Sequence, residues 1–129
     1  MTFRPIRQRW RIMPNALSKM GKQVMLWQRE DLNVGHIERE TERAVLIRVP
    51  DSGYKGYTFW IPKKFVRKIK NVSERVRVIY PLYFDVMMSK DNRGHSVYIG
   101  FALDCVNRPE NHKVDEFELE KEYREYVGF

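Results

Sequence analysis

A run of aromatic and basic residues between positions 54 and 68 is the part of this sequence best suited to chemistry. It reads Tyr-Lys-Gly-Tyr-Thr-Phe-Trp-Ile-Pro-Lys-Lys-Phe-Val-Arg-Lys. Aromatic rings can stack on unpaired bases while Lys and Arg neutralise phosphates, the combination by which proteins hold single-stranded nucleic acid. Because side chains alternate along a strand, Tyr57, Phe59 and Ile61 share a core face and Trp60 points the other way. The residues left to bind a partner are Tyr54, Lys55, Trp60, Lys63, Lys64, Arg67 and Lys68.

The same run also has a purely structural interpretation. Its rings would then only fill a core face, and its lysines would only keep an amphipathic helix in water. Binding is favoured because residues 54–72 contain six basic and no acidic residues. A second basic segment supports this choice, since residues 1–29 hold seven Lys or Arg and no acid. Residues 110–129 instead carry a net charge of −4, so we expect one positive and one negative face.

The N-terminal segment, to about residue 22, is predicted to be a basic arm. Arg7, Arg9, Trp10 and Arg11 combine charge with an aromatic ring and leave little apolar surface to bury. Such an arm can follow a phosphate backbone, or it can be a tail that orders only on binding.

The elements that must position these residues read as a mainly antiparallel α+β domain. We predict a first strand at residues 23–28, a hairpin over 44–61 with its tip at 50–56, and a short basic helix after Pro62. A second hairpin follows, in which alternating apolar residues run from 75 to 88 and from 97 to 103. Asp115 is predicted to cap a C-terminal helix whose apolar positions are Leu119, Tyr123, Tyr126 and Val127.

Length and composition predict one domain with one core, because 129 residues are too few for two ordinary cores. The longest uncharged apolar run is far shorter than the ~20 residues that span a bilayer, so no membrane segment is expected. The lone Cys105 lies among apolar residues and is expected to be a packed thiol. Together with the lack of a secretory signal, it favours a reducing, cytoplasmic location.

Catalytic and metal signatures are weak. His36, His95 and His112 lack the spacing of a metal site, so neither a metal nor another cofactor is predicted. A metal-dependent nuclease remains a third alternative, because converging carboxylates can bind the metal ions of such an enzyme. Glu38, Glu40 and Glu42 alternate along one predicted strand, and Asp85 and Asp104 fall on the second hairpin. No catalytic residue is assigned. The glutamates of the C-terminal helix are either a solvated face or a surface for a basic protein.

Residues 38–68 resemble a segment of small accessory proteins of phages and plasmids. The resemblance rests on the stretch Glu-Arg-Glu-Thr-Glu-Arg-Ala-Val-Leu-Ile-Arg-Val-Pro and on the aromatic and basic run above. Some small proteins of these mobile elements are anti-CRISPR inhibitors that act on Cas9 or its guide RNA. The resemblance implies a mobile-element origin and a target that is nucleic acid or a ribonucleoprotein. It carries over no catalytic residue.

The sequence therefore predicts a non-enzymatic protein that binds RNA or single-stranded DNA through its basic and aromatic residues. The alternative is an inhibitor that binds a ribonucleoprotein complex such as Cas9 with its guide.

Overall fold

The computed structural model describes residues 26–128, which contain eight strands and two α-helices. The strands are β1 (Trp27–Asn33), β2 (Ile37–Glu40), β3 (Ala44–Arg48), β4 (Thr58–Pro62), β5 (Val66–Ile69), β6 (Val72–Pro81), β7 (Asp85–Lys90) and β8 (Arg93–Tyr98). The helices are α1 (Ile99–Asn107) and α2 (Glu116–Tyr126). The predicted α+β class is confirmed. The predicted arm, with Arg7, Arg9, Trp10 and Arg11, lies outside the described residues.

The strands form two antiparallel sheets. One has the order β1-β6-β5 and the other β2-β3-β4-β7-β8. The predicted first hairpin is present, since β3 pairs with β4. The single strand predicted over residues 75–88 is wrong, because the chain turns after Pro81 and forms β6 in one sheet and β7, which pairs with β8, in the other. Residues 23–25 of the predicted first strand lie outside the described residues, and β1 runs from Trp27 to Asn33, beyond the predicted end at residue 28. The inner faces of both sheets pack with α1 into a single hydrophobic cluster.

The tip of the first hairpin folds onto the C-terminal part of the chain. Tyr54 is fully buried there, with its ring 5.4 Å from that of Phe117. The Glu116 N–H donates to the Tyr54 hydroxyl at 3.1 Å, so the buried oxygen has a partner. This loop is therefore part of the core, because aromatic packing and a satisfied hydroxyl offset the cost of burying it.

The predicted basic helix after Pro62 is wrong. Residues Lys63–Phe65 form one turn of 3-10 helix, and Val66–Ile69 form β5, which pairs with β6. An isolated helix of this length is marginal in water, whereas a paired strand satisfies its backbone groups along the ladder. The β-branched residues Val66 and Ile69 favour the strand further.

The second hairpin is shorter than predicted, because the chain turns into a helix at Ile99. Tyr98 pairs with Asp85, the first residue of β7, so no strand remains to pair with residues beyond it. The residues there also have helical spacing, and Ile99, Ala102 and Leu103 are all buried in the core.

The predicted cap of the C-terminal helix is confirmed. The Asp115 carboxylate accepts from the N–H groups of Phe117 and Glu118 at 3.0 and 3.1 Å. It also accepts from the buried Tyr57 hydroxyl at 2.8 Å, which ties the start of α2 to the residue just before β4. Between residues 26 and 128, neither helix has the length and apolar character needed to cross a membrane.

The contact between the hairpin tip and the C-terminal segment yields a test of stability. A Cβ at Gly53 would lie 2.5 to 2.7 Å from backbone atoms of residues 113–115, which cannot move aside easily. Gly53→Ala should therefore lower the free energy of unfolding by about 2 kcal/mol in urea titrations. Gly100→Ala is the matched control, because its new methyl group would meet only Tyr80, at an ordinary 3.5 Å. Equal stabilities for the two variants would contradict the docked loop.

Cys105 provides a test of the core. It is fully buried on α1, and burial raises the pKa of its thiol to about 12. Because the thiolate is the reactive form, the native protein should react with a thiol reagent at pH 8 only slowly. Reaction should become fast in denaturant. Fast reaction of the folded protein would mean that the side of α1 that carries Cys105 does not pack into the core.

Candidate nucleic-acid interface

The register of the three-stranded sheet brings arginines from three strands onto one face. Asp31 of β1 lies opposite Arg77 of β6, which lies opposite Arg67 of β5. Paired residues of adjacent strands point to the same side, so residues two positions away along each strand share it too. The arginines on this side, called here the arginine face, are Arg29, Arg67, Arg75 and Arg77.

The opposite side of the same sheet explains why the arginines point outward. Leu32, Val78 and Tyr80 alternate with them along β1 and β6, and all three are buried in the core. A shift of register by one residue would place the arginines in the core and these apolar side chains in water. Core packing therefore determines which side chains form the arginine face.

Arg77 is held in place by a two-pronged ion pair. Its Nε lies 2.8 Å from Asp31 Oδ1, and its Nη2 lies 3.3 Å from Asp31 Oδ2. The hydrogen bond from Arg77 lowers the pKa of Asp31 below its usual value, and the charges of Arg75 and Arg29 act in the same direction. Asp31 thus stays ionised and orients one guanidinium while the other arginines remain available.

A groove of about 620 Å³ runs from this face to the C-terminal end of α1. A second ion-pair network lies at its far side, where Arg108 Nη1 contacts Glu30 Oε2 at 2.8 Å and Asp104 Oδ1 at 2.6 Å. The Asn107 side chain donates to the Asp31 carbonyl at 2.9 Å, which joins α1 to β1. The groove is lined by Arg29, Glu30, Asp31, Asn33, Arg75, Arg77, Asn107 and Arg108.

Charge and shape together suit this groove to a polyanion. Four arginines outnumber two carboxylates along its walls. Arg29 and Arg75 are exposed, and neither forms a salt bridge with any carboxylate among residues 26–128. Guanidinium groups bind phosphate oxygens through two parallel N–H donors, so these two side chains can each bind one phosphate.

An aromatic ring completes the arginine face. Trp27 lies two residues before Arg29 on the same strand and is 54% exposed. Its ring meets Phe65 edge-on, with the centroids 6.4 Å apart, so one side is supported by the core. A supported and half-exposed indole beside arginines has the features of a base-stacking platform.

The predicted basic cluster after Pro62 is divided by the strand. Lys63 pairs with Glu40 of β2 at 2.7 Å, and Lys64 is exposed with its Nζ 5.8 Å from the Phe65 ring. Only Arg67 joins the arginine face, where its guanidinium donates to the carbonyls of Lys64 and Val66. Lys68 alternates with Arg67 and lies on the other side of β5, opposite Val76.

Trp60 lies on the other sheet, as part of a separate exposed surface. It alternates with the buried Phe59 and Ile61 as predicted, and it is 41% exposed. Thr58 pairs with Ser89, and Asp85 pairs with Tyr98. Met87 and Tyr98 therefore lie on the same side of the sheet as Trp60. The exposed residues of this surface, called here the aromatic face, are Trp60, Met87 and Tyr98, with Tyr83 against Tyr98 at 5.6 Å.

The two residues predicted at the hairpin tip differ in position. The expectation that Tyr54 is free to bind a partner is wrong, because the loop folds back and buries its ring. Lys55 is exposed as expected, but it belongs to the loop between β3 and β4 rather than to the arginine face.

The carboxylates considered for metal binding do not converge. Glu38 pairs with Arg48 and Glu40 with Lys63. Asp104 lies on α1 rather than on the predicted hairpin, because the chain becomes helical at Ile99. Asp104 contacts Arg108 and His112 instead of Asp85. Among residues 26–128, no three His, Cys, Asp or Glu side chains are placed to hold one metal ion.

The sequence prediction missed Arg29, Arg75 and Arg77. A signal for two of them was present, because Arg75 and Arg77 alternate with Val76 and Val78 along an apolar strand pattern. The apolar half of that alternation predicts a core face, and its basic half indicates a positively charged surface on the opposite side. Arg29 had no comparable signal, since only the pairing of β1 with β6 brings it to the others.

Comparison with known proteins gives no relative. No family model, no curated protein and no solved structure matches this chain. The resemblance of residues 38–68 to mobile-element proteins therefore stays a prediction, and the function is argued from the site alone.

Proposed function

We propose that this protein binds single-stranded nucleic acid, either RNA or single-stranded DNA, on the arginine face and acts as a binding protein rather than an enzyme. The observation that carries the proposal is the strand register, which aligns Arg29, Arg67, Arg75 and Arg77 with Trp27 on one exposed sheet surface. A sheet that presents rings for bases and cations for phosphates is a common platform for single strands.

Each group has a distinct role in this proposal. Arg29 and Arg75 bind phosphates, because both are exposed and have no carboxylate partner within the described residues. Arg77, paired with Asp31, holds its remaining N–H donors in a fixed position between them. Trp27 stacks on one base, which favours a single strand because bases in a duplex are already stacked.

The sequence supplies further cations in the predicted arm. Arg7, Arg9, Trp10 and Arg11 precede β1 in the sequence, and β1 carries both Trp27 and Arg29. A strand leaving the arginine face can be held further by these cations. With a buried free thiol at Cys105, the protein fits the reducing cytoplasm, where such a partner is found.

The aromatic face supports a second candidate function, the binding of a protein-containing complex. Trp60, Met87 and Tyr98 expose large apolar groups side by side, and aromatic residues and Met are enriched where proteins meet. This surface fits an inhibitor of a ribonucleoprotein, the anti-CRISPR alternative, in which Trp60 enters a protein pocket.

The first test of the proposal removes two arginines. Arg29→Gln with Arg75→Gln should reduce the salt dependence of binding to a fluorescein-labelled single strand. The slope of log K against log salt should become shallower by about 1.4, or 0.7 per lost phosphate contact. Anisotropy titrations at several salt concentrations measure this slope. The double variant should keep its fold, because both side chains are exposed.

The matched control is Arg39→Gln with Arg43→Gln. It removes the same charge from two exposed arginines at the other sheet. The control should bind like the unaltered protein. Equal losses in the two double variants would show that net charge, rather than the arginine face, determines affinity, and would refute this site.

A second test compares the two half-exposed tryptophans. Trp27→Ala should weaken binding of the single strand by about 1 to 3 kcal/mol, the value of one base stack, while Trp60→Ala should change it little. Thermal unfolding of both variants checks that the Trp27 contact with Phe65 is not needed for folding.

The opposite pattern would favour the second candidate. In that case free nucleic acid would bind weakly or not at all. A Cas9 complex with its guide would bind with a shallow salt slope, and Trp60→Ala would cost ~2 kcal/mol or more, as expected for a buried interface anchor.

A further inference from the structure

The C-terminal helix carries an apolar stripe on its outer side. Leu119, Tyr123 and Tyr126 are spaced i, i+4 and i+7, so they lie along one side of α2. Their exposed fractions are 55%, 64% and 88%, and no residue of α2 is buried. Apolar residues with this spacing are the anchors by which an amphipathic helix enters a groove on another protein.

The helix is attached to its own domain through a different side. Phe117 stacks on His95 of β8, with the ring centroids 3.9 Å apart. Glu118 forms an ion pair with Arg93 of the same strand. At 100° per residue, Phe117 lies nearly opposite Tyr126 around the helix. These contacts therefore fix α2 against β8 and leave the stripe uncovered by the rest of the described chain.

Negative charge borders the stripe on both sides. Glu116 and Glu122 flank it around the helix, and within the described residues neither forms an ion pair. Both of these glutamates are exposed. The surface thus combines an apolar centre with acidic edges, and its complement is an apolar groove with a basic rim.

A groove of that kind, called here the valine groove, lies where β5 turns into β6. It forms because the three-stranded sheet extends past the core. Val78 of β6 is buried, whereas Val76, two residues nearer the turn on the same side of the strand, is partly exposed. The groove has a volume of about 610 Å³, and its apolar lining consists of Val34, Ile69, Val72 and Val76.

Basic side chains form the rim of the valine groove. Lys68 and Arg75 line it, and Lys70 lies in the turn that follows Ile69. All three basic residues are exposed, and within the described residues none of them forms an ion pair. Arg75 marks the boundary with the arginine face, so the two lysines are the cations that belong to this groove alone.

One folded chain cannot bring these two surfaces together. The helix is fixed against β8 of the five-stranded sheet, whereas the valine groove is built on β5 and β6 of the other sheet. Two chains can bring them together. Pairing of α2 with α2 of a second copy would place glutamates against glutamates, while insertion of α2 into the valine groove matches opposite charges around an apolar centre.

We propose that α2 of one chain docks in the valine groove of a second copy, with the apolar stripe on the valine-rich lining and the two bordering glutamates at the lysines of the rim. Docking removes apolar surface of both chains from water. Because two different surfaces meet, the contact is head-to-tail, and each chain can both insert a helix and accept one. The contact goes beyond the proposed function and stands whether or not the arginine face binds nucleic acid.

Sedimentation velocity on the full-length protein, purified free of nucleic acid, tests whether the chain associates. One short helix in one groove forms a small interface, so the association is weak and reversible. The weight-average sedimentation coefficient should rise as the protein concentration increases from about 10 μM to about 1 mM. A coefficient that stays at the value of a monomer over this range would overturn the proposal.

Charge reversal tests which surfaces meet. The helix variant is Glu116→Lys with Glu122→Lys, and the groove variant is Lys68→Glu with Lys70→Glu; all four side chains are exposed. Each variant alone should associate at least about tenfold more weakly, because like charges then face each other. An equimolar mixture of the two variants should regain the association, since every contact between unlike chains again joins opposite charges.

Two further variants complete the test. Asp85→Lys with Glu110→Lys makes the same change of charge as the helix variant at exposed positions outside both surfaces, and it should associate like the unaltered protein. Tyr123→Ser with Tyr126→Ser keeps the charges of α2, and it should weaken association through the loss of apolar contact alone. Thermal unfolding checks that every variant is folded.

Three results would overturn the proposal. A loss of association in the Asp85 and Glu110 variant equal to that of the helix variant would show that net charge determines association. A groove variant that associates normally would assign the contact to another surface. A mixture that fails to regain association would show that α2 and the valine groove do not meet.

Discussion

The pairing of β6 with both β1 and β5 is the constraint on which the candidate site depends. A single ten-residue strand sets the register of its two neighbours, and that register places Asp31, Arg77 and Arg67 in one row. The buried side of the same strands holds the register, because a slip of one residue would exchange Val78 with an arginine. Arginine positions are therefore fixed by hydrophobic packing rather than by attraction between charges.

The ion pairs on this surface position side chains more than they stabilise the fold. The Arg77–Asp31 pair is partly exposed, and pairs of that kind contribute only about 0 to 1 kcal/mol. Its two-pronged geometry nevertheless restricts where the guanidinium can point. The network of Glu30, Arg108 and Asp104 plays a similar part, since it joins the end of α1 to β1 and forms the far wall of the groove.

Three surfaces with different chemistry follow from this packing. The arginine face is cationic with one supported indole, the aromatic face exposes uncharged aromatic and thioether side chains, and the outer side of α2 is apolar with an acidic border. Each occupies a different element of the fold, so substitutions in one leave the others intact. This separation allows polyanion binding and protein binding to be tested independently.

Local patterns in the sequence determined much of the fold. Two β-branched and aromatic runs on either side of a turn predicted the hairpin of β3 and β4, and Asp115 predicted the start of α2, because both features depend on residues close in sequence. Tertiary structure decided what local patterns left open. The segment after Pro62 became a strand because β6 was available to pair with it, and Ile99 began a helix because β7 had ended. Tyr54 was buried by contact with a segment some 60 residues away, and contact between β1 and β6 placed Arg29 on the same side of the sheet as Arg75. Neither contact can be read from neighbouring residues, since it forms only when two remote parts of the chain bury apolar surface together.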